Sequence, residues 1–148
     1  MSYRRIPTYT VPAGYGPAPV VETPDPDYLA MLPVFHKKWY ELHRAGAEAI
    51  DANGITRYKA QFASYNANFP CMTCRKHLNA WSAQHPIDNY VGYRDKNGRL
   101  IGMAHHSWVL HNDVNIRLGK PYMDWTTFER VWLTPEDEIE SCSRNCGH

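Results

Sequence analysis

The sequence predicts an all-α fold: a four-helix bundle with a short fifth helix, preceded by an extended N-terminal arm. Three observations favour this class. Apolar residues recur at the three- and four-residue spacing of helices in five segments between residues 34 and 132. Turn residues separate these segments. The 148 residues are enough for one domain that buries about 70% of its unfolded surface without a structural metal.

Prolines divide the chain into an arm and a folded domain. Seven of the 11 prolines lie in the first 33 residues. Proline lacks a backbone donor and disfavours helical geometry at the residue before it. We therefore expect residues 1–33 to be extended or disordered, residues 34–133 to form the domain, and residues 134–148 to be a flexible tail.

The first two helices are predicted from their apolar faces. The first begins near Val34 and carries a stripe formed by Trp39, Leu42, His43, Gly46, Ala49 and Ile50. Asn53-Gly54 is expected to end this helix, and Thr56 to cap the second. The second helix carries a face formed by Tyr58, Phe62, Tyr65 and Phe69.

The remaining helices follow from their end signals. Pro70 suits the first turn of the third helix. The fourth is predicted over about residues 104–118, before Gly119. The fifth covers about residues 124–132, where Thr126 and Glu129 have capping-box spacing. Between the third and fourth helices, Asn97-Gly98 predicts a small β-hairpin within residues 89–103.

Charge and hydropathy exclude two classes of partner. The chain has 16 basic and 15 acidic residues, so it lacks the excess of positive charge typical of phosphate-backbone binding. No stretch approaches the roughly 20 apolar residues that cross a bilayer, and the N-terminus lacks a signal-peptide pattern. We expect no nucleic-acid partner, no membrane insertion and no cleaved secretion signal.

The four cysteines form two close pairs, Cys71 with Cys74 and Cys142 with Cys146. At the start of a helix, unpaired N–H groups and the positive dipole end favour a thiolate, so Cys71 is the better nucleophile. The C-x-x-C pair can close a reducible disulfide, or it can supply half of a structural zinc site. The motif alone leaves both alternatives open.

Two helix faces combine aromatic and polar residues. On the fourth helix, Trp108, His111, Asn112 and Asn115 share one face. Trp39 and His43 on the first helix repeat the pairing of an aromatic with an imidazole. Such a face is either solvated or part of a pocket, because buried amides and imidazoles need partners. Beside a C-x-x-C pair, the two faces predict a pocket for a large, flat, hydrogen-bonding cofactor.

Three motifs in sequence order resemble the signatures of the Erv/ALR flavin-dependent sulfhydryl oxidases. They are the WYELH segment at 39–43, the FPCMTCRKHL segment at 69–78 and the HNDVNIRLGKP segment at 111–121. The chain looks most like the compact virus-encoded members. The resemblance implies a helical bundle that binds FAD, usually as a homodimer, and oxidises protein dithiols with O2 to give a disulfide and H2O2.

The resemblance also assigns roles. It implies that Cys74 is the sulfur next to the flavin and that Cys71 exchanges with incoming thiols. It implies that Cys142 and Cys146 carry electrons from substrate to the active-site pair; the alternatives are a tail staple or two free thiols. The residues expected to bind the cofactor are Trp39, His43, Tyr65, His77, Trp108, His111, Asn112, Asn115 and Lys120.

Several positions depart from the family pattern. Phe35 and His36 stand where Gly-Arg is common, Phe69 replaces a tyrosine, and His106 stands where a tryptophan is expected. Met123 and Trp125 stand where many members carry a phenylalanine and a structural cysteine, so the disulfide that usually tethers the fifth helix is not expected here. These departures mark a divergent member.

Two other classes of function compete with the oxidase. One is a zinc-binding structural module with the four cysteines as ligands. The other is a degenerate, non-catalytic virion component. The absence of a signal sequence predicts action in the cytosol, and the resemblance to viral members extends this to a virus factory or virion; the mitochondrial intermembrane space is the alternative compartment. The composition of the N-terminal arm fits a segment that docks a substrate or anchors the protein in a virion or capsid, and it fits an inert tail equally well.

Overall fold

In a computed structural model, residues 26–134 are described. They form α1 (Pro26–Glu48), α2 (Ala52–Asn68), α3 (Met72–Gln84), α4 (Gly102–Arg117) and α5 (Trp125–Trp132), with a single 3-10 turn at Ile87–Asn89. No strand forms within residues 26–134. The all-α class, with four longer helices and a short fifth, is confirmed. None of the helices in this range is long and apolar enough to cross a membrane.

The first helix begins earlier than predicted. It starts at Pro26, so the boundary at Val34 and the extended arm over residues 26–33 are wrong. Pro26 suits a helix start, where its missing N–H has no helical partner in any case. Pro33 lies inside the helix and is exposed. The carbonyl that proline leaves unpaired can therefore be hydrated, which reduces the penalty of an interior proline. Residues 1–25 and 135–148 lie outside the described part, so the extended arm over residues 1–25 and the flexible tail stay predictions.

The junction of α1 and α2 also differs from the prediction. Asn53-Gly54 does not end α1; both residues lie in the first turn of α2. Asp51 caps this helix by accepting the N–H of Gly54 at 2.8 Å, so Thr56 is not the cap. A Cβ at Gly54 would lie 2.7 Å from the carbonyl oxygen of Glu48. Gly54 is therefore a packing residue that lets two helix ends approach closely.

Side-chain caps also set the ends of the later helices. Cys71 is the N-cap of α3 and Pro70 lies just before it, so the predicted place of Pro70 in the first turn is wrong. Asp124 caps α5 by accepting the N–H of Thr127 at 2.7 Å, so the predicted capping role of Thr126 is wrong. The fourth helix agrees with its prediction to within two residues, and Gly119 follows it with a φ of 72°.

The predicted hairpin is reduced to one isolated bridge between Arg94 and Leu100. The Asp95 carboxylate accepts the backbone N–H groups of Asn97 and Arg99, and this builds a tight turn. The chain then enters α4 at Gly102. Too few residues separate this turn from α4 for a second strand to form.

Helix α4 is central in the bundle, and residues 101–110 are all buried. It crosses α1 where Gly46 faces Ala104; a Cβ at Gly46 would lie 3.0 Å from the backbone N and Cα of Ala104. The indole of Trp81 on α3 donates to Asp113 on α4 at 2.8 Å. The close crossing of α1 and α4 at Gly46 and Ala104 fixes how the polar faces of these two helices meet.

Gly46→Val is expected to lower the free energy of unfolding by about 2 kcal/mol or more, because the new side chain overlaps the α4 backbone. Urea unfolding followed by circular dichroism measures this change. Gly92→Val is the matched control, since a Cβ there meets nothing within 4 Å; it should change stability by less than about 0.5 kcal/mol. Equal effects of the two substitutions would contradict the close crossing.

Candidate active site

The C-x-x-C pair forms a disulfide at the start of α3. Cys71 and Cys74 are bonded to each other, with their Cα atoms 5.2 Å apart. The sulfur of Cys71 also accepts the backbone N–H of Cys74 at 3.2 Å. When the bond is reduced, this N–H and the helix N-terminus favour a thiolate on Cys71. The geometry therefore suits reversible thiol–disulfide exchange.

The segment before the disulfide is fixed on two sides. The carbonyl of Phe69 accepts two hydrogen bonds from the guanidinium of Arg75, at 2.9 and 3.1 Å. The Phe69 ring stacks on Phe35 of α1 with a centroid separation of 5.7 Å and an interplanar angle of 12°. Two of the positions that depart from the family pattern thus contact each other.

A cleft of about 1900 Å³ lies beside the disulfide, and α1, α3, α4 and α5 all contribute to it. Both cysteines of the pair line it. All nine residues predicted to bind the cofactor line it as well: Trp39, His43, Tyr65, His77, Trp108, His111, Asn112, Asn115 and Lys120. The structure therefore brings the two predicted faces and the disulfide to one cavity; cofactor binding by these residues stays a prediction.

One wall of the cleft is a stack of flat rings. Trp39 and His111 are parallel to within 5°, with centroids 4.0 Å apart. His43 packs 5.0 Å from His111, and behind it lie Phe128 and Trp132 of α5. The aromatic–imidazole pair of α1 thus meets the polar face of α4, as the sequence predicts. We call Trp39, His43 and His111 the ring wall.

The two imidazoles of the ring wall are connected by hydrogen bonds. His43 Nε2 lies 2.8 Å from His111 Nδ1, and His43 Nδ1 lies 2.9 Å from the Ser107 hydroxyl. Burial, followed by the nearby His111, holds the pKa of His43 well below its usual range. Burial, with Lys120 and His36, lowers the pKa of His111 to about 4. Both imidazoles are therefore neutral at pH 7.

The amides of α4 shape the loop that follows it. Asn112 donates to the Met123 carbonyl at 2.9 Å and accepts the Met123 N–H at 2.8 Å. The indole of Trp108 donates to the same carbonyl at 2.8 Å. The backbone carbonyl of Asn115 accepts the backbone N–H of Lys120 at 2.8 Å. Through these bonds, the motif residues fix the position of Lys120 at the cleft.

The remaining predicted residues differ in exposure. Tyr65 is buried; its hydroxyl accepts from Gln61 at 2.8 Å and donates to the Lys38 carbonyl at 3.2 Å. His77 is exposed on α3.

Sequence reasoning missed Ser107 and Arg75. Ser107 is one helical turn before His111, and this spacing is the signal that could have placed it beside the histidines.

Within residues 26–134, no three His, Cys, Asp or Glu side chains cluster as metal ligands. The zinc alternative also requires Cys142 and Cys146, which lie outside the described residues. That alternative and the electron-carrying role of the distal pair therefore stay predictions.

Comparison with known proteins agrees with the sequence motifs. The family model of the Erv1 / Alr family matches residues 36–133, well over half of the chain. Curated proteins and solved structures give no match. The family match does not separate virus-encoded from cellular members, so that narrower resemblance stays a prediction. Because the matched segment runs from the middle of α1 to the end of α5 and contains every cleft-forming motif, this chain belongs to the Erv1 / Alr family.

Proposed function

We propose that this protein is an FAD-dependent sulfhydryl oxidase. It forms disulfides in protein dithiols and passes the electrons through Cys71 and Cys74 to FAD and then to O2, giving H2O2. The observation that carries this proposal is that the disulfide and the ring wall line one cleft. Membership of the Erv1 / Alr family supports it.

The residues of the cleft fit FAD. Its volume of about 1900 Å³ exceeds the roughly 300–1,000 Å³ of most small-ligand pockets, so the cleft is large enough for a dinucleotide. The flat faces of Trp39 and His111 suit an aromatic ring system, and the ammonium group of Lys120 suits a phosphate. When bound, FAD supplies an electron sink and the reaction with oxygen.

The chain's own residues perform the thiol chemistry in two exchange steps. A substrate thiolate attacks the Cys71 sulfur, the Cys71–Cys74 bond breaks, and Cys74 leaves as a thiolate. The second substrate thiolate then attacks the substrate sulfur of the mixed disulfide and releases Cys71. The substrate has lost two electrons and the cysteine pair has gained them. The N–H of Cys74 stabilises the Cys71 thiolate as it leaves.

Cys142 and Cys146 are proposed to deliver electrons from protein substrates to this pair. Cys142→Ser is then expected to lower turnover of folded protein thiols and to leave turnover of dithiothreitol unchanged, because a small dithiol reaches Cys71 directly. Parallel oxygen-consumption assays on the two substrates measure the difference. An equal loss with both substrates would contradict the relay.

The absorption spectrum of the purified protein tests the function. We expect a stoichiometric flavin band that bleaches when dithiothreitol is added and recovers in air while oxygen is consumed. A flavin band that dithiothreitol does not bleach would contradict thiol oxidation. A colourless protein that does not bind added FAD would overturn the proposal, and zinc analysis would then separate the four-cysteine module from a non-catalytic component.

A further inference from the structure

A chain of hydrogen bonds links the ring wall to the backbone of α4. The hydroxyl of Ser107 donates to the Ala104 carbonyl at 2.7 Å. The same hydroxyl oxygen lies 2.9 Å from His43 Nδ1, and His43 Nε2 lies 2.8 Å from His111 Nδ1. Ser107 is fully buried at the inner end of this chain, and His111 lines the cleft at the other.

This chain of hydrogen bonds allows only one arrangement of protons when both imidazoles are neutral. A carbonyl carries no proton, so the single hydroxyl proton of Ser107 must point to Ala104. The Ser107 oxygen can then only accept, which places the proton of His43 on Nδ1. His43 Nε2 is therefore a bare acceptor.

The same reasoning fixes the protonation of His111, which lines the cleft. Because His43 Nε2 accepts, His111 must donate from Nδ1. A neutral imidazole carries one proton, so His111 Nε2 is unprotonated. Burial of both rings keeps their pKa values below the usual range, which preserves this order at neutral pH.

We infer that Ser107 is a positioning residue that fixes His111 as a hydrogen-bond acceptor toward the cleft, matched to a ligand group that donates, such as a hydroxyl or an N–H. Taking FAD as that ligand rests on the proposed function; the order of protons does not. Ser107 acts through His43 and contacts no ligand itself.

Removing the hydroxyl should invert the order. In Ser107→Ala, the Nδ1–H of His43 loses its acceptor inside the protein, and buried N–H groups without partners are rare because they are costly. Moving the proton to Nε2 keeps the bond between the two histidines and leaves only a bare nitrogen unpaired. His111 would then accept at Nδ1 and carry its proton on Nε2. A donor would face the ligand in place of an acceptor.

Nitrogen-15 NMR of the histidine rings in the full-length chain tests the inference without FAD. In the wild type, we expect His111 protonated on Nδ1 and bare on Nε2. Ser107→Ala is expected to reverse this, and Ser107→Thr, which keeps a hydroxyl, to restore it. Ser82→Ala is the matched control, since Ser82 also donates to a helical carbonyl, that of Leu78 at 2.7 Å, without a histidine partner; it should leave both rings unchanged.

Two results would overturn the inference. One is a wild-type His111 that carries its proton on Nε2, a measurement that holds even if Ser107→Ala does not fold. The other is a folded Ser107→Ala protein whose rings keep the wild-type tautomers.

FAD titration tests the ligand-facing part. Because one matched hydrogen bond is lost, we expect FAD to bind the Ser107→Ala variant about tenfold more weakly than it binds the Ser82→Ala variant. Equal affinities of the two variants would overturn the match between His111 and the ligand while leaving the oxidase proposal standing. A wild type that binds no FAD would overturn the proposed function, and the ring tautomers would still decide the role of Ser107.

Discussion

Replacing Cys74 by serine is expected to abolish thiol oxidation, with a fall in kcat of more than about a thousandfold. The wild-type disulfide joins Cys71 to Cys74, and the serine variant has no such bond for a substrate thiolate to attack. The variant should still bind FAD. The ring wall belongs to α1 and α4, whereas Cys74 lies in the first turn of α3.

Oxygen consumption with dithiothreitol measures the loss, and the flavin-to-protein absorbance ratio measures retained cofactor. Asn79→Ala is a suitable control because Asn79 is exposed on the same helix, does not line the cleft, and its replacement leaves both sulfurs in place. This control should keep its turnover. A Cys74→Ser protein with substantial turnover, or one that loses its flavin while Asn79→Ala keeps it, would contradict the separation of exchange chemistry from cofactor binding.

The helices could be predicted from sequence because periodic apolar faces are local signals, but their ends depended on competition between signals. Asn53-Gly54 is a strong turn signal, yet Asp51 caps α2 and Gly54 is needed for close packing against Glu48. Pro33 is a strong break signal, yet its exposed position lets α1 continue. Tertiary packing and solvent access decided these ends, and neither is visible in a short window of sequence.

The sequence was enough to predict which helix faces form the candidate site. Trp39 and His111 are 72 positions apart in sequence and were paired because each lies on a helix face with an unusual polar and aromatic pattern. The contacts within the faces were not predictable. Asn112 bonds the backbone of Met123, and Phe35 stacks on Phe69, because loops and helix crossings bring them together. Such contacts depend on the path of the chain after each helix.

Four histidines whose pKa is lowered by burial give the described part of the fold an expected sensitivity to acid. They are the buried His43, His105 and His106 and the half-buried His111. Burial lowers the pKa of His105 to about 4, and burial with His85 and His105 lowers that of His106 to about 3. Within residues 26–134, Nδ1 of His105 and Nε2 of His106 have no hydrogen-bond partner. Charging either ring would leave a buried N–H unpaired.

The sign of the effect follows from proton uptake. An unfolded imidazole takes up a proton below its usual pKa of 6.5, whereas the folded His105 stays neutral down to about pH 4. The unfolded state binds more protons in this window, so the free energy of unfolding falls as the pH falls. At pH 5 a buried histidine with a folded pKa of about 4 or below, such as His105 or His106, accounts for a loss of about 2 kcal/mol. Two such losses are a large fraction of the stability of a typical domain.

Urea unfolding at a series of pH values from about 7 down to about 5 should therefore show a steep loss of stability, above the range in which carboxylates titrate. His105→Phe keeps a buried ring but removes one site of proton uptake, so it should reduce the slope by about 1 kcal/mol per pH unit, averaged over this series. His77→Gln is the control, because it removes an exposed imidazole in place of a buried one. A wild-type stability that is equal at both ends of the series would show that the core accommodates charged histidines, and an unchanged slope in His105→Phe would place the proton uptake elsewhere.

The pH series also sets the pH range for the measurement of the histidine tautomers. The arrangement of protons that Ser107 imposes exists only while His43 and His111 are neutral. Acid that charges these two rings removes that arrangement and the fold together.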